Sequence, residues 1–318
     1  MERVRCAVIG VGHFGRHYVR LLSDFHGLEL AAVVSRSAET LAELPNLPVS
    51  VQRTANVGAV FSDSAIDAVI IATPTPTHAA FAAAALQAGK HVLVEKPMTA
   101  NLREAEELAE AVRVSGRVFM VGHQYLYNDH IKALKEAIKA GELGRVRAVF
   151  AEHFYHGPIR QGVGCFWETA VHETAILDYL FGLDAVTDVA ARSFDLTSNG
   201  FDDWTTATIS FADGPTATII TSWYAPEKAR RLIVVGEAGS ASFAEELTIF
   251  TEPPGALRDR YGPAPAECVR RPVEAAREPL VSQLEHFLTC IRIGAEPRTG
   301  IEHGLRVIQL LDRVERAR

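Results

Sequence analysis

The sequence predicts a two-domain α/β protein, in which a doubly wound parallel sheet is followed by an α+β domain with an antiparallel sheet. Its 318 residues suit two domains of ordinary size. The first third alternates short β-rich apolar runs with helical patterns, which is typical of repeated βαβ units. Between residues 185 and 250 this rhythm gives way to alternating polar and apolar runs, with a turn at Asp213 and Gly214.

The first domain is expected to cover residues 1–121. Its strands are predicted at residues 4–9, 30–34, 67–72, 91–94 and 118–121. Its helices are predicted at residues 14–25, 79–88 and 103–114. The alternation of these strands and helices predicts repeated βαβ units around a parallel sheet.

The second domain is expected to cover residues 122–318, with the C-terminal helix free to pack back on the first domain. Helices are predicted at residues 127–140, 168–181, 280–293 and 301–314, the first two ended by Gly141 and Gly182. A strand is predicted at residues 146–153 and the antiparallel sheet at 185–250. Residues 157–164 form a Gly-rich loop, and residues 252–279 are expected to be an irregular surface excursion.

Composition and charge exclude several classes of function. Acidic residues outnumber basic ones by 39 to 32, giving a net charge of −7, which argues against nucleic acid as a partner. The longest purely apolar run, residues 79–86, is far shorter than the roughly 20 residues of a membrane-spanning helix. A strand predicted from residue 4 leaves no room for a secretory leader, so a cytoplasmic protein is expected. The scattered cysteines are expected to be buried free thiols.

A glycine loop, Gly-Val-Gly-His-Phe-Gly at residues 10–15, joins the first strand to the first helix. This order is typical of a dinucleotide-binding site. Gly10 would permit the tight turn, Gly12 would let the backbone approach a pyrophosphate, and Gly15 would let the helix pack on the strand. His13 and Phe14 lie in the same loop and are candidate cofactor-binding residues with the glycines. A plain βα turn is the alternative.

The segment Ser35-Arg36-Ser37 follows the second strand, where such domains often place an acidic residue on the ribose hydroxyls. A carboxylate there repels the 2′-phosphate of NADP, whereas Arg36 with the Ser35 and Ser37 hydroxyls could bind it. NADP(H) is therefore the favoured cofactor, and NAD(H) is possible too. Alternatively, Arg36 is a solvated residue beside a ribose site that accepts either cofactor.

Two further motifs carry a family resemblance. Residues 73–78 read Thr-Pro-Thr-Pro-Thr-His, and residues 88–97 read Ala-Gly-Lys-His-Val-Leu-Val-Glu-Lys-Pro. With the glycine loop and residues 135–145, they resemble the Gfo/Idh/MocA family of NAD(P)-dependent oxidoreductases. The resemblance implies a Rossmann domain and a substrate domain whose large, open, mostly antiparallel sheet carries the substrate site on one side and commonly an oligomer interface on the other. Further candidate cofactor-binding residues are Thr73, Pro74, His78, Glu95 and Lys96.

The resemblance also implies the catalytic residues. The Glu-Lys-Pro motif places Lys96 at the carboxyl end of a strand, where its ammonium would stabilise alkoxide character on the reacting hydroxyl. The family's Asp-x-x-x-His pattern falls on Glu168 and His172, with Glu where Asp is common. A spacing of four puts both on one helical face, and an imidazole is a natural base at neutral pH. A solvated lysine and a core or surface histidine are the ordinary alternatives.

Departures from the family pattern leave the substrate open. Ala175 stands where an Asp commonly follows the helix histidine, and Leu126 stands near the place where many relatives have Arg. The tentative substrate residues are His123, Tyr125, Tyr127 and Arg160. Packing at the domain junction is an equal alternative for the first three, and solvent exposure is the alternative for Arg160.

The histidines and cysteines of the sequence do not predict a metal site. His153 and His156 lie three apart, and Cys165 follows. Along a strand an odd separation puts two side chains on opposite faces, so these histidines cannot share an ion, and the ligand set is incomplete.

The expected function is hydride transfer between NADP(H) or NAD(H) and a secondary alcohol or ketone of a sugar, sugar derivative or cyclitol. A homodimer or homotetramer is expected, because the alternating run at residues 206–223 has Thr, Ile and Trp on its outer face, which the resemblance implies is covered by another subunit. A solvated, Thr-rich face is the alternative. Two alternatives remain. One is a redox-neutral enzyme of the family that retains its nucleotide during glycoside cleavage or rearrangement. The other is a non-catalytic, dinucleotide-binding sugar sensor or regulator.

Overall fold

The computed structural model describes residues 3–44, 47–157, 162–251, 269–274 and 276–318. The chain divides into two compact units. The first unit comprises Met1–His123 with Leu280–Ile308, and the second comprises Gln124–Pro279 with Gln309–Arg318. Each unit is built on one sheet. In the described part of the chain, no helix is long and apolar enough to cross a membrane.

The sheet of the first unit is parallel, with six described strands in the order β3-β2-β1-β4-β5-β6. The strands are β1 (Val4–Ile9), β2 (Leu28–Val34), β3 (Gln52–Thr54), β4 (Ala68–Ile71), β5 (His91–Val94) and β6 (Phe119–Val121). The order reverses between β1 and β4, and sheets of this kind bind ligands beyond the carboxyl ends of the strands at that reversal. The fold therefore places a candidate site at the ends of β1 and β4.

Five helices accompany these strands in the described part of the first 123 residues. They are α1 (Gly15–Leu22), α2 (Ala38–Ala42), α3 (Val57–Ser62), α4 (His78–Gln87) and α5 (Leu102–Ser115). Local chemistry sets the ends of α5: the Asn101 side chain accepts a hydrogen bond from the Glu104 N–H at 3.0 Å, and Gly116 ends the helix with φ +61°. The predicted helix at residues 14–25 is shorter than expected, since α1 ends at Leu22.

The second unit carries a mostly antiparallel sheet in the order β14-β13-β12-β11-β7-β10-β9-β8, in which only the described pair β7 and β10 is parallel. Its helices are α6 (Asp129–Lys139), α7 (Cys165–Thr169) and α8 (Val171–Phe181). Its strands are β7 (Val146–His156), β8 (Val186–Phe194), β9 (Trp204–Phe211), β10 (Thr216–Ser222), β11 (Tyr224–Gly236), β12 (Gly239–Phe243), β13 (Leu247–Thr251) and β14 (Val269–Val273). The last two helices of the chain are α9 (Pro279–Ile293) and α10 (Ile301–Arg316).

The two faces of this second sheet differ in cover. Helix α6 contacts β13, and α7 contacts β9 and β10, so one face is buried. Alternation along β9 buries Ala207 and Ile209 on that face and leaves Thr206 and Thr208 half-buried on the other. On the outer face, Phe194 is 56% exposed.

Three predictions on the second unit need correction. The helix expected at residues 168–181 is broken at Ala170, where ψ is −9°, and becomes α7 and α8. Strand β7 runs three residues beyond the predicted end, to His156. Strand β14 pairs with β13 inside the predicted irregular excursion, whose residues 252–268 and 275 lie outside the described residues. Of the cysteines, Cys6, Cys165 and Cys290 are buried free thiols as predicted, and Cys268 also lies outside the described residues.

Candidate active site

A cavity of about 440 Å³ lies where β1, β2 and β4 end in the first unit. Ile9, Val34 and Ala72 line it at these strand ends. Of the predicted cofactor-binding residues, those that also line it are Gly10, Gly12, Ser35, Arg36, Ser37, Thr73 and Pro74. The cavity therefore lies at the position that the strand order predicts for a ligand.

The three loop glycines meet different surroundings. Gly10 has φ +89°, and a Cβ there would lie 2.7 Å from the Ala72 carbonyl oxygen. A Cβ on Gly15 would lie 1.9 Å from the Gly10 carbonyl oxygen, so only glycine lets α1 start this close to β1. A Cβ on Gly12 would meet no atom within 4 Å, because this backbone faces the open cavity. A bulky group such as a pyrophosphate can therefore approach the Gly12 backbone, and the loop fits a dinucleotide.

His13 and Phe14 do not line this cavity in the described structure. The His13 ring lies 5.8 Å from the His17 ring, and the Phe14 ring lies 5.8 Å from the Tyr18 ring. Their predicted contact with a cofactor thus receives no support from the position of their rings, which pack along α1.

Segment 35–40, which borders the cavity, contains an acid that the sequence prediction overlooked, Glu39, whose side chain is exposed and does not line the cavity. The Ser37 hydroxyl donates to Glu39 Oε2 at 2.7 Å, and its oxygen accepts from the Thr40 N–H at 3.0 Å. The hydrogen bond from Ser37 lowers the pKa of Glu39, which is therefore an anion at neutral pH. Ser37 is thus engaged as a helix cap rather than available to a phosphate, while Arg36 is exposed beside the cavity.

His78, a predicted cofactor-binding residue, connects two segments of the first unit by hydrogen bonds. Its side chain is buried, with Nδ1 2.8 Å from the Pro97 carbonyl oxygen and Nε2 2.7 Å from the Thr73 carbonyl oxygen. The ring therefore ties the Thr73 loop, which lines the cavity, to the segment that follows Lys96. Both ring nitrogens face backbone carbonyl oxygens, and a direct contact of His78 with a cofactor stays a prediction.

Glu95 also supports the site from behind. The Tyr18 hydroxyl donates to Glu95 Oε1 at 2.6 Å, and the Lys96 N–H donates to Glu95 Oε2 at 3.1 Å. The Gln283 amide donates to the Tyr18 oxygen at 2.9 Å. Burial, together with Glu95, holds the pKa of Tyr18 well above its usual value, so Tyr18 remains a donor. Glu95 is buried away from the cavity and fixes the Lys96 backbone, whereas the Lys96 side chain is half-buried.

The second unit gathers titratable and aromatic side chains on the covered face of its sheet. His153 on β7 and Arg230 on β11 are directly opposite in the antiparallel register, so their side chains share a face. Around this pair lie Tyr125, Tyr155, His172 and Glu173. Only Tyr125 and His172 of these six side chains were singled out as site residues from the sequence, and His153 was considered only as a metal ligand.

The contacts of His153 fix its protonation. Its Nε2 faces Arg230 Nη2 at 2.8 Å, the Tyr155 hydroxyl at 2.9 Å and Arg230 Nε at 3.1 Å. Because a guanidinium only donates, Nε2 must present its lone pair. The proton is therefore on Nδ1, which donates to Glu173 Oε1 at 2.9 Å. His153 is a neutral, fixed ring, held by a buried carboxylate.

His172 lies next to this ring. It is 6% exposed, stacks on His153 at 5.8 Å between centroids, and meets the Tyr125 ring edge-on at 5.1 Å. Glu168 is half-buried on α7, and the break at Ala170 separates it from His172. The helix that the sequence predicts across Glu168 and His172 is therefore not continuous, and Glu173 supplies a carboxylate that bonds to His153 in the ring cluster.

The tentative substrate residues have different outcomes. Tyr125 lines a second cavity of about 970 Å³, together with Asn128, Lys228 and Arg230. His123 is 1% exposed with Nδ1 2.7 Å from His303 Nε2, and Tyr127 is 2% exposed. This burial agrees with the packing alternative for both residues, and their contact with a substrate stays a prediction. Arg160 lies outside the described residues.

The residues that the structure describes contain no group of three or more His, Cys, Asp or Glu side chains placed to hold a metal ion. His153 is buried and His156 is exposed, in agreement with the opposite faces predicted for them. The first unit thus offers a dinucleotide cleft and a supported lysine. The second offers fixed hydrogen-bond donors, an imidazole and a wide cavity.

Comparison with known proteins gives matches over both units. Residues 4–123 match the model of the oxidoreductase family with an NAD-binding Rossmann fold, and residues 131–242 match the GFO/IDH/MocA C-terminal domain. The chain is 27% identical to scyllo-inositol 2-dehydrogenase (NAD(+)) of Bacillus subtilis, over 93% of this chain and 88% of that protein. It is 25% identical to D-apiose dehydrogenase of Paraburkholderia graminis, over 98% of this chain and 87% of that protein. The solved structure of UDP-N-acetylglucosamine 3-dehydrogenase from Acidithiobacillus ferrooxidans superposes with a TM-score of 0.83 at 28% identity, over 100% of this chain and 98% of that one.

Proposed function

Since the chain belongs to the Gfo/Idh/MocA family of oxidoreductases with an NAD-binding Rossmann fold, we propose that it interconverts a secondary alcohol and a ketone on a sugar, sugar derivative or cyclitol, with NADP(H) preferred over NAD(H). The observation that carries this proposal is the cleft at the strand-order reversal, where the Gly12 backbone faces open space. A dinucleotide fits there, and the supported Lys96 follows the neighbouring strand β5.

Lys96 is proposed to hold the reacting oxygen. Its backbone N–H donates a hydrogen bond to the buried Glu95 carboxylate, which holds the backbone from which the Lys96 side chain extends. The bound nicotinamide would accept or donate the hydride. The Lys96 ammonium would donate a hydrogen bond to the substrate oxygen and stabilise the negative charge that develops on it.

His172 is proposed to transfer the proton. An imidazole can accept a hydroxyl proton at neutral pH, and the rings of Tyr125 and His153 enclose this one. His153 cannot serve in this role, because its Nε2 lone pair already accepts from Arg230. Glu168, half-buried on the preceding helix, is proposed to hold a second hydroxyl of the ligand.

The substrate class is supported by chemistry and by relatives. Tyr125, Asn128 and Lys228 bring phenol, amide and ammonium groups to the wide cavity, and such groups bind hydroxyl-rich ligands. The names of the relatives include a cyclitol and two sugars. A small, hydroxylated ring is therefore the proposed ligand.

The preference for NADP(H) rests on Arg36, which is exposed at the cavity and would pair with a 2′-phosphate. Glu39 opposes this preference, because its carboxylate accepts a hydrogen bond from the Ser37 hydroxyl and its negative charge would repel a 2′-phosphate. A moderate preference for NADP(H), with some use of NAD(H), is therefore proposed.

The proposal is tested by following nicotinamide absorbance with a panel of cyclitols, aldoses and nucleotide sugars, each with NADP⁺ and NAD⁺. Net reduction with at least one panel member is expected, and Lys96→Ala should abolish it. Lys139→Ala, a substitution at an exposed lysine near the end of α6, is the matched control. Nucleotide binding without any net change of absorbance across the panel contradicts the proposal.

A further inference from the structure

We propose that Arg230 is a positioning residue that presents the Tyr125 hydroxyl as a hydrogen-bond donor to a ligand oxygen in the wide cavity of the second unit. The identity of the ligand rests on the proposed function, whereas the geometry of the side chains does not. It adds a specificity-determining pair, distant in sequence, to the candidate catalytic residues.

The donors of Arg230 are almost all engaged. Nη1 donates to the Tyr125 oxygen, Nη2 donates to the Tyr155 oxygen, and Nε and Nη2 both point at His153 Nε2. A guanidinium has five N–H donors in a fixed plane. Only one of them, on Nη1, has no acceptor among the described residues. The group is therefore a hub that holds three neighbouring side chains.

A carboxylate behind His153 anchors this hub. Glu173 is buried and accepts from His153 Nδ1, so the charges of Glu173 and Arg230 balance across one neutral ring. Burial alone lowers the pKa of Arg230, but Tyr125, Tyr155 and Glu173 outweigh it and raise that pKa. The guanidinium consequently stays charged and keeps its planar set of donors.

Tyr125 is the member of the hub that can reach a ligand. Its oxygen accepts from Arg230, which leaves its own proton for another acceptor, and the residue lines the wide cavity. Burial, the largest effect, raises the pKa of Tyr125 to about 12, so the group is a neutral phenol at physiological pH. Its ring also touches that of His172, so an oxygen bound by Tyr125 lies beside the proposed base.

The competing explanation makes Arg230 a receptor for an anionic ligand. Bidentate binding of a carboxylate needs two parallel N–H donors, and the engaged donors of Arg230 do not offer such a pair. The cavity is also balanced in charge. Its lining includes three cations and three carboxylates, namely Lys228, Arg230, Arg231, Glu152, Glu245 and Glu246. Both observations favour positioning over anion binding.

The first experiment needs no substrate. Long-range ¹H–¹⁵N correlation spectra of protein labelled with ¹⁵N-histidine report which ring nitrogen carries the proton, and His153→Asn assigns the signal. The parent is expected to show His153 protonated on Nδ1 and neutral across the stable pH range. Arg230→Gln is expected to make this signal titrate as an imidazolium, because Glu173 then faces the ring without the guanidinium. Arg147→Gln, which breaks only the surface pair with Glu237, is the matched control and should behave as the parent.

The second experiment uses scyllo-inositol, D-apiose and D-glucose with saturating nucleotide, and follows the probe with the highest turnover. Tyr125→Phe and Arg230→Gln should each raise its KM about tenfold, with little change in kcat or in the nucleotide KM. The double variant should also show about a tenfold rise, because both changes remove one contact. Arg230→Lys should not restore the KM, since an ammonium cannot span three acceptors.

Results in either the spectra or the kinetics would overturn the proposal. One is a His153 signal in Arg230→Gln that matches the parent in tautomer and titration. The other is an unchanged KM in Tyr125→Phe, or a double variant whose KM rises about a hundredfold. If the parent turns over none of the probes, the proposed function loses support, whereas the spectra still decide the role of Arg230. Where Arg230→Gln does not fold, as judged by circular dichroism, Arg230→Met takes its place in the spectra, and the same titration of the His153 signal is expected.

Discussion

We expect the choice between NADP(H) and NAD(H) to depend on two neighbouring side chains of opposite charge, Arg36 and Glu39, so that substituting each shifts this choice in opposite directions. Arg36 is exposed at the cavity, and Glu39 is held by Ser37 two residues away from it. A hydrogen bond to a charged group is worth roughly 1.5–3 kcal/mol, and solvent exposure reduces this for Arg36 to about 1 kcal/mol. Arg36→Ala should therefore lower the ratio of kcat/KM for NADP⁺ over NAD⁺ about fivefold.

Glu39→Gln should shift the same ratio the other way. It removes the negative charge beside the phosphate site, so the ratio should rise, mainly through a lower KM for NADP⁺. The assay is steady-state kinetics with both nucleotides at one saturating substrate concentration, and the salt concentration is held fixed because these groups are exposed. Arg53→Ala, a change at an exposed arginine on β3, is the control. An unchanged ratio in Arg36→Ala, or a fall in Glu39→Gln, would refute this electrostatic account.

Five other substitutions have defined outcomes, which concern catalysis, stability at low pH and assembly. Lys96→Ala and His172→Ala should each lower kcat by about 10²- to 10⁴-fold and leave the nucleotide Kd, measured by fluorescence titration, nearly unchanged. Glu168→Ala should lower kcat less. Near-normal turnover of His172→Ala would exclude His172 as the base. Burial lowers the pKa of His91, and its Nδ1 accepts from the Val118 N–H. Below a pH of about 6.5 the unfolded chain binds the proton before the folded chain does, so the stability of the folded protein falls. On acidification the Tm of His91→Asn should fall less than the Tm of the parent, and an equal fall contradicts this. Ile220→Glu, half-buried on the outer sheet face, should convert a homodimer or homotetramer to monomer in light scattering, and a parent that is already monomeric at micromolar concentration refutes the predicted assembly.

Long periodic elements and the glycine loop are the parts of the fold that the sequence predicts well. Strands β1 and β5 and the β9–β10 turn occur where the patterns place them, because each pattern repeats over enough residues to define a buried face. Elements of three to six residues, namely β3, α2 and α3, were not predicted. Helices α2 and α3 complete fewer than two turns, so no helical period can be measured in them. Strand β3 is mostly exposed and lacks the buried apolar run that marks β5 and β6.

The site is only partly predictable, because its supports are paired across long distances in the chain. Arg230 and His153 are 77 residues apart, and Gln283 and Tyr18 are 265 apart. Such pairs follow from strand register and helix packing, which a single sequence does not specify. Glu39 could have been found, because a serine with a nearby acid is typical of a helix start. The break at Ala170 has no comparable signal, since alanine favours helix.

The central claim is that this family member performs a net oxidation or reduction of a hydroxylated ring substrate with Lys96 at the reacting oxygen. The most direct test is a substrate-dependent net change in nicotinamide absorbance by the parent and by Lys96→Ala, with NADP⁺, over the panel of cyclitols and sugars. The account predicts stoichiometric nucleotide reduction by the parent and loss of turnover by at least about 10²-fold in Lys96→Ala, with the nucleotide still bound. Product formation without net nucleotide change, or nucleotide binding without any product, would contradict it.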